Sequence, residues 1–354
     1  MTTVLAQSQT DIDEISNLLK KKLPAYRKAY SDRTSWIMAC IAELAYLRFN
    51  PLFPDDSKKD YFLKAIKKLI DQNNQSALTK LIDLVSYDHE KEAADLAANL
   101  TLLSLRLVET FDSNGTQAII VANSDFAVLA FRGTEASSIK DIKADARAIA
   151  VACPTGGNIH SGFNDAYNEV ALCIQGRLDE DDLKDLPLFI TGHSLGGALA
   201  TIAAKKLTHP NAGIAACYTF GSPRVGDQHW LASFKTPIYR LVNAADCVTM
   251  LPPGDEIIST LGWLVKGIPY VGRSLRAFLL NKISGYMHVG DMRYMTNCAT
   301  PADYRDVELL YSVSLFRRVK GFMIKKAPWH KVLTDHSIKT YRKKLLVIAS
   351  RRNA

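Results

Sequence analysis

The stretch that most constrains this chain is LFITGHSLGGALATIAAKKL, residues 188–207. Apolar, strand-forming residues run into glycines, and a helical pattern follows. Ser194 stands at the break, with Gly192 and Gly196 two residues away on either side. Glycines at those offsets leave room where a Cβ would strike the adjoining strand and helix. The G-x-S-x-G pattern therefore lifts a serine onto a tight strand-to-helix turn. The helix then offers unpaired N–H groups and the positive end of its dipole beside the hydroxyl. With a buried strand before it and a helix after it, Ser194 reads as a nucleophile rather than as part of a chance turn.

A serine hydroxyl is a weak nucleophile until a base takes its proton, and the base is usually a histidine oriented by an acid. In a strand-first architecture the chain order is serine, acid, histidine. Asp246 follows the apolar run IYRLVN (238–243) and precedes the prolines that open a loop. It is the expected acid, with a simple turn-forming aspartate as the alternative. Two histidines come later, His288 in GYMHVGD and His336 in TDHSIKTY. Either could reach the serine from a loop, so the residues alone leave the base open. His160 reads as structural. His89, His209, His229 and His330 are expected at the surface.

The rest of the chain supplies a frame for such a turn. Residues 11–100 carry apolar residues at three- and four-residue steps and read as helices, a cap or buttress in which no chemistry concentrates. Near residue 104 the pattern changes. LSLRLVETF, TQAIIVAN and FAVLAFRG are short β-branched and aromatic runs separated by the turn signals DSNG and SD. LFITG, IAACYTFG and IYRLVN follow, separated by helical patterns at 161–178 and 196–207. Strands alternating with helices imply a mostly parallel sheet covered on both faces. The expected organisation is a helical region over 1–100 and a catalytic domain over 101–354.

The chain resembles the class 3 lipases, the fungal triacylglycerol lipase family of α/β-hydrolases. The matching stretches are LAFRGTEASSIKDIKADA, IHSGFNDAY, ITGHSLGGALA, YTFGSPRVGD, YRLVNAADCVTMLPP, GYMHVGDM and DHSIKTY, in family order across about residues 100–341. The resemblance implies an α/β-hydrolase fold, with Ser194 as nucleophile, Asp246 as acid and His336 as base. His288 is kept as the alternative base. It also implies that Thr134 and the backbone N–H of Leu195 hold the oxyanion, and that His193 is not the base. The segment after Thr134, including Ser138, Ile139 and Ile142, corresponds to the lid. This version also carries Lys140, Asp141, Lys143 and Asp145 and no tryptophan, which suits less hydrophobic esters or phospholipids as well as triglyceride.

The resemblance thus implies a serine hydrolase of acylglycerol or related lipid esters. A phospholipase A1 or lysophospholipase is the nearest rival, and a lipase-like interaction module without turnover is a rival of another class. No H-E-x-x-H and no Cys/His cluster with ligand spacing is present, so neither metal nor cofactor is expected. The six cysteines form no C-x-x-C pair and read as reduced thiols.

Charge bears on partners. The net charge is +8, and from Arg317 onward there are twelve basic residues against one acid, Asp335. The remainder of the chain is mildly acidic. Residues 254–283 mix Trp263, Leu264, Phe278 and Leu279 with Lys266, Arg273, Arg276 and Lys282. Apolar anchors among cations suit an interfacial segment as well as a core-packing insert. The expected partner, beside the lipid ester, is an anionic membrane surface reached through this insert and the basic tail. A solvated helix face is the plainer reading of the tail, and nucleic acid is not expected, because no nucleic-acid-binding fold accompanies the charge. The N-terminus shows no basic and apolar signal pattern, so the expected location is cytoplasmic or peripheral to a membrane. Export without a cleaved leader is compatible with that pattern.

Overall fold

The computed structural model describes residues 3–25, 29–49, 56–75, 77–79, 88–133, 150–154, 156–232, 234–244, 246–252, 285–298, 300–314 and 334–353. The predicted lid, the insert at 254–283 and the first part of the basic tail lie outside these residues.

The chain opens on helices, among them α1 (Gln9–Leu19), α2 (Asp32–Leu44), α3 (Asp56–Asp71) and α4 (His89–Leu102). Their starts are chemically marked. Ser8 forms a capping box with Asp11, Ser31 accepts from the Thr34 N–H, and Asp88 accepts from the Lys91 N–H. From Trp36 to Ala42 every residue of α2 is buried. A helix that is apolar all round belongs in a core.

Strands β1 (Arg106–Ser113), β2 (Thr116–Ala122) and β3 (Ala127–Phe131) form an antiparallel meander. A small ribbon, β4 (Ala150–Ala152) with β5 (Asn158–His160), leads into α5 (Ser161–Leu178). There follow β6 (Leu188–His193), α6 (Leu195–Lys206), β7 (Ile214–Phe220), β8 (Ile238–Asn243), β9 (Asp291–Met295) and β10 (Leu309–Leu310). Helix α7 (Ile338–Asn353) ends the described chain. The eight-stranded sheet has the order β1-β2-β3-β6-β7-β8-β9-β10. Its pairings from β3 through β9 are parallel. This is the α/β-hydrolase architecture that the resemblance implied.

Successive strand side chains point to opposite faces, so each strand feeds two cores. Ile119, Val121, Val128 and Ala130 face one core with α2, α4 and α7. Ile120, Leu129, Phe131 and Ile190 face the other with α5 and α6. Helices α1, α2 and α4 of the first hundred residues therefore join α7 in one of the two layers over the sheet, and α2 packs on Ser194's strand.

Candidate active site

The turn at Ser194 has the geometry that its glycines predict. Ser194 has φ 57° and ψ −126°, a region that a residue with a side chain adopts only when its surroundings force it. The forcing groups are visible. A Cβ on Gly192 would collide with the Gly196 carbonyl, and one on Gly196 would collide with the Phe131 carbonyl. Strand β6 and helix α6 thus meet at a distance that only glycine permits. The Ser194 N–H donates to the Phe220 carbonyl at 2.9 Å, pinning the turn to β7.

Asp246 follows β8 and is fully buried. His336 lies just before α7 and is also buried. The fold brings the three together across gaps of 142 and 90 residues. His336 Nε2 is 2.9 Å from Ser194 Oγ. His336 Nδ1 is 3.0 Å from each carboxylate oxygen of Asp246. A carboxylate only accepts, so the Nδ1 of His336 carries the proton. Its Nε2 then offers a lone pair to the serine O–H.

Three donors converge on Asp246. Besides His336, the Val248 N–H donates to Oδ1 at 3.0 Å and the Tyr341 hydroxyl donates to Oδ2 at 2.6 Å. Tyr341 accepts in turn from the Asn243 N–H at 2.9 Å. The Asn243 side chain donates to the Asp335 carbonyl at 2.8 Å and accepts from Lys344 Nζ at 2.7 Å. Lys344 also donates to the Thr296 carbonyl. This network ties β8, which delivers the acid, to α7, which follows the base. Tyr341, Asn243 and Lys344 are site residues that the sequence reading missed. The signal available was the tyrosine five residues after His336 within DHSIKTY.

Gly221 passes directly over the acid–base pair. It has φ 58°, and a Cβ there would stand 2.6 Å from Asp246 Oδ2 and 3.0 Å from His336 Nδ1.

The alternative base is engaged elsewhere: His288 Nε2 donates to the Thr249 carbonyl at 2.7 Å. His160 is structural, as read from the sequence. It caps α5 by accepting from the Phe163 N–H, and its ring stacks on Phe163 at 3.9 Å. His209 corrects the expectation of a surface residue. It is buried, and its Nε2 donates to the Leu186 carbonyl at 2.8 Å, a partner in a loop that no spacing announces.

The N–H of Leu195 is the first of α6, where backbone donors have no intrahelical acceptor. Thr134, Ser138, Ile139 and Ile142 lie outside the described residues. Among the described residues no group of three His, Cys, Asp or Glu side chains is placed to hold a metal ion. All six cysteines are free thiols, and Cys173 is exposed.

Residues 128–256 match the class 3 lipase family. Over 154 residues the chain is 36% identical to a lipase of Rhizomucor miehei, an alignment spanning 40% of each chain. Over 105 residues it is 40% identical to the secreted mono- and diacylglycerol lipase 1 of Fusarium solani, spanning 28% of this chain and 31% of that one. The chain thus aligns with less than half the length of either relative. A crystal structure of a mutant form of MDLA from Penicillium cyclopium shares the fold, with a TM-score of 0.50, 19% identity, and coverage of 93% of this chain and 95% of that one.

Proposed function

We propose, from the membership of residues 128–256 in the class 3 lipase family and from the relay at Ser194, that the chain hydrolyses carboxylic esters of acylglycerols. The observation that carries this is the unbroken line from Ser194 Oγ through both ring nitrogens of His336 to a carboxylate with three donors. A serine placed for structure alone needs no imidazole lone pair in line with its hydroxyl.

In this reaction Ser194 Oγ attacks the ester carbonyl carbon while its proton passes to His336 Nε2. Negative charge moves to the carbonyl oxygen, which the Leu195 N–H stabilises. Thr134 is the proposed second donor. Removing one such donor typically lowers kcat by about 10²- to 10³-fold. The tetrahedral adduct collapses, the carbon–oxygen bond to the alcohol breaks, and His336 returns the proton to that oxygen. Water then attacks the acyl-serine with His336 as base, releasing the fatty acid and restoring the hydroxyl. Asp246 holds the ring in the productive tautomer throughout.

The test compares hydrolysis of p-nitrophenyl esters and of mono-, di- and triacylglycerols by wild type, Ser194→Ala, His336→Ala and His288→Ala. Near-complete loss in the first two variants, with activity largely retained in the third, is the expected pattern. A wild type as inactive as Ser194→Ala on every ester would favour the interaction module. Loss in His288→Ala with His336→Ala active would reassign the base.

We further propose that the ester is met at an anionic lipid surface. The charge pattern of 254–283 and of the tail before residue 334 supports this. The tail's end contributes less, because Arg342, Lys344, Arg351 and Arg352 are committed to partners within the chain. Flotation with anionic liposomes checks the proposal: binding that weakens as salt rises is expected, and salt-insensitive or absent binding contradicts it.

A further inference from the structure

His193 is buried beside the nucleophile, yet the relay does not use it. Both of its ring nitrogens are occupied. Nε2 lies 2.6 Å from the backbone carbonyl of His336, and Nδ1 lies 2.7 Å from the hydroxyl of Tyr46. A carbonyl only accepts, so Nε2 bears the proton and Nδ1 is left as the acceptor. Tyr46 must then be the donor at Nδ1, and a single tautomer satisfies both contacts. The His193 ring also lies against the catalytic imidazole, with centroids 4.6 Å apart, and edge-on to Tyr341.

Tyr46 sits just past the end of α2, held there by the bond from its N–H to the Glu43 carbonyl. Its hydroxyl reaches His193 past Gly133. A Cβ on Gly133 would collide with both the Tyr46 hydroxyl and the His193 carbonyl. The Arg132 guanidinium lies 5.9 Å from the Tyr46 ring centre. Three separate parts of the chain, residues 46, 133 and 193, are therefore fitted around one contact whose far end is the main chain of His336.

We propose that His193, with its tautomer fixed by Tyr46, is a positioning residue that holds the backbone of His336 so that its Nε2 stays in line with Ser194 Oγ. His336 ends a helical turn at 334–336 and is separated from α7 by Ser337 alone. Asp246 fixes the ring at Nδ1, which leaves rotation about that contact and sliding of the main chain. The bond from His193 to the His336 carbonyl, beside that from the Asn243 side chain to the Asp335 carbonyl, removes the second freedom. The His193 bond gives the first hundred residues a part in the reaction, because α2 delivers Tyr46. Displacing a reacting group by about 1 Å costs on the order of 10²-fold in rate.

The inference rests on the proposed hydrolase reading, and its test separates the two. His193→Phe keeps the ring volume and removes the Nε2 donor, whereas His193→Gln returns an N–H near the Nε2 position. Tyr46→Phe removes only the donor to Nδ1. Each is assayed for kcat and KM on p-nitrophenyl butyrate. Each is also examined by NMR for the His336 Nδ1–H proton bonded to Asp246, which needs no substrate. For His193→Phe, kcat is expected to fall about 10- to 100-fold with KM little changed, and the Nδ1–H resonance to broaden or shift. His193→Gln should recover most of both, and Tyr46→Phe should lose about 3- to 10-fold. Unchanged kcat and resonance in His193→Phe would overturn the proposal. So would a His193→Gln variant as impaired as His193→Phe, since the donor would then not be what matters. If wild type cleaves no ester, the hydrolase reading fails, while the resonance still decides whether His193 positions His336.

Discussion

At the scale of single residues, the site is held by buried groups outside the relay of Ser194, His336 and Asp246. The Tyr341 hydroxyl both donates to Asp246 and accepts from the Asn243 N–H. Tyr341→Phe leaves that buried N–H without an acceptor, at a cost of about 1–3 kcal/mol in stability. Thermal unfolding measures this loss, and esterase kinetics should show reduced kcat as the carboxylate loosens. Gly221→Ala is a sharper test of crowding: a methyl placed 2.6 Å from Asp246 Oδ2 at φ 58° must push the acid or the base aside. Activity should fall by about 10²-fold or more. Wild-type kcat in that variant would show that the pair tolerates displacement. These residues also mark the reach of sequence reasoning. Ser194 was legible because its glycine spacing is local, and Asp246 because chain order confines it to a strand end. The base was not legible from residues alone, since His288 and His336 sit in equally loop-like surroundings. Resemblance chose His336, which the fold places between Ser194 and Asp246, whereas His288 bonds the Thr249 carbonyl.

At the scale of elements, α2 and α7 are joined by an ion pair between Glu43 and Arg342, residues 299 apart and both largely buried. Arg342 also donates to the carbonyls of Val4 and Leu5, so one guanidinium gathers the N-terminus, α2 and α7. Glu43→Ala strands that cation and should cost about 3–5 kcal/mol, read as a lowered urea midpoint. A midpoint within error of wild type would mean that solvent reaches Arg342. This pair shows why α7 was misjudged from its composition. A run of cations reads as a solvated face, yet Arg342 and Lys344 are buried because their partners come from distant segments. Strands β9 and β10 were missed for a related reason. DMRYM places an arginine at its centre, and β10 is two residues long. Only a neighbouring strand makes either of them a strand. By contrast β6, β8 and α5 were read almost to the residue, because their apolar patterns are continuous and their ends are marked by turns or caps.

At the scale of the whole molecule, two cores and one sheet bring together a serine, an acid and an imidazole from distant parts of the chain. His193 lies at the centre of that assembly with a titration held away from its usual range. Burial, and then the neighbouring His336, push its imidazole well below the ordinary 6.5. Below pH 6.5 the unfolded chain takes up a proton at His193 that the folded chain refuses. Its contribution to stability is therefore full above 6.5 and lost as pH falls toward the depressed value. Between about pH 6.5 and 5 the urea midpoint of wild type should fall more steeply than that of His193→Gln. Equal slopes would show the ring to be open to protons. The central claim is that Ser194 becomes covalently acylated, and it is tested most directly by quenching the chain in acid during turnover of p-nitrophenyl butyrate and locating the acyl group by peptide mass spectrometry. The relay predicts a butyryl adduct on the peptide bearing Ser194, with a burst of nitrophenolate stoichiometric with the chain when deacylation is slow. Turnover with the acyl group on another residue, or turnover undiminished in Ser194→Ala, would contradict it.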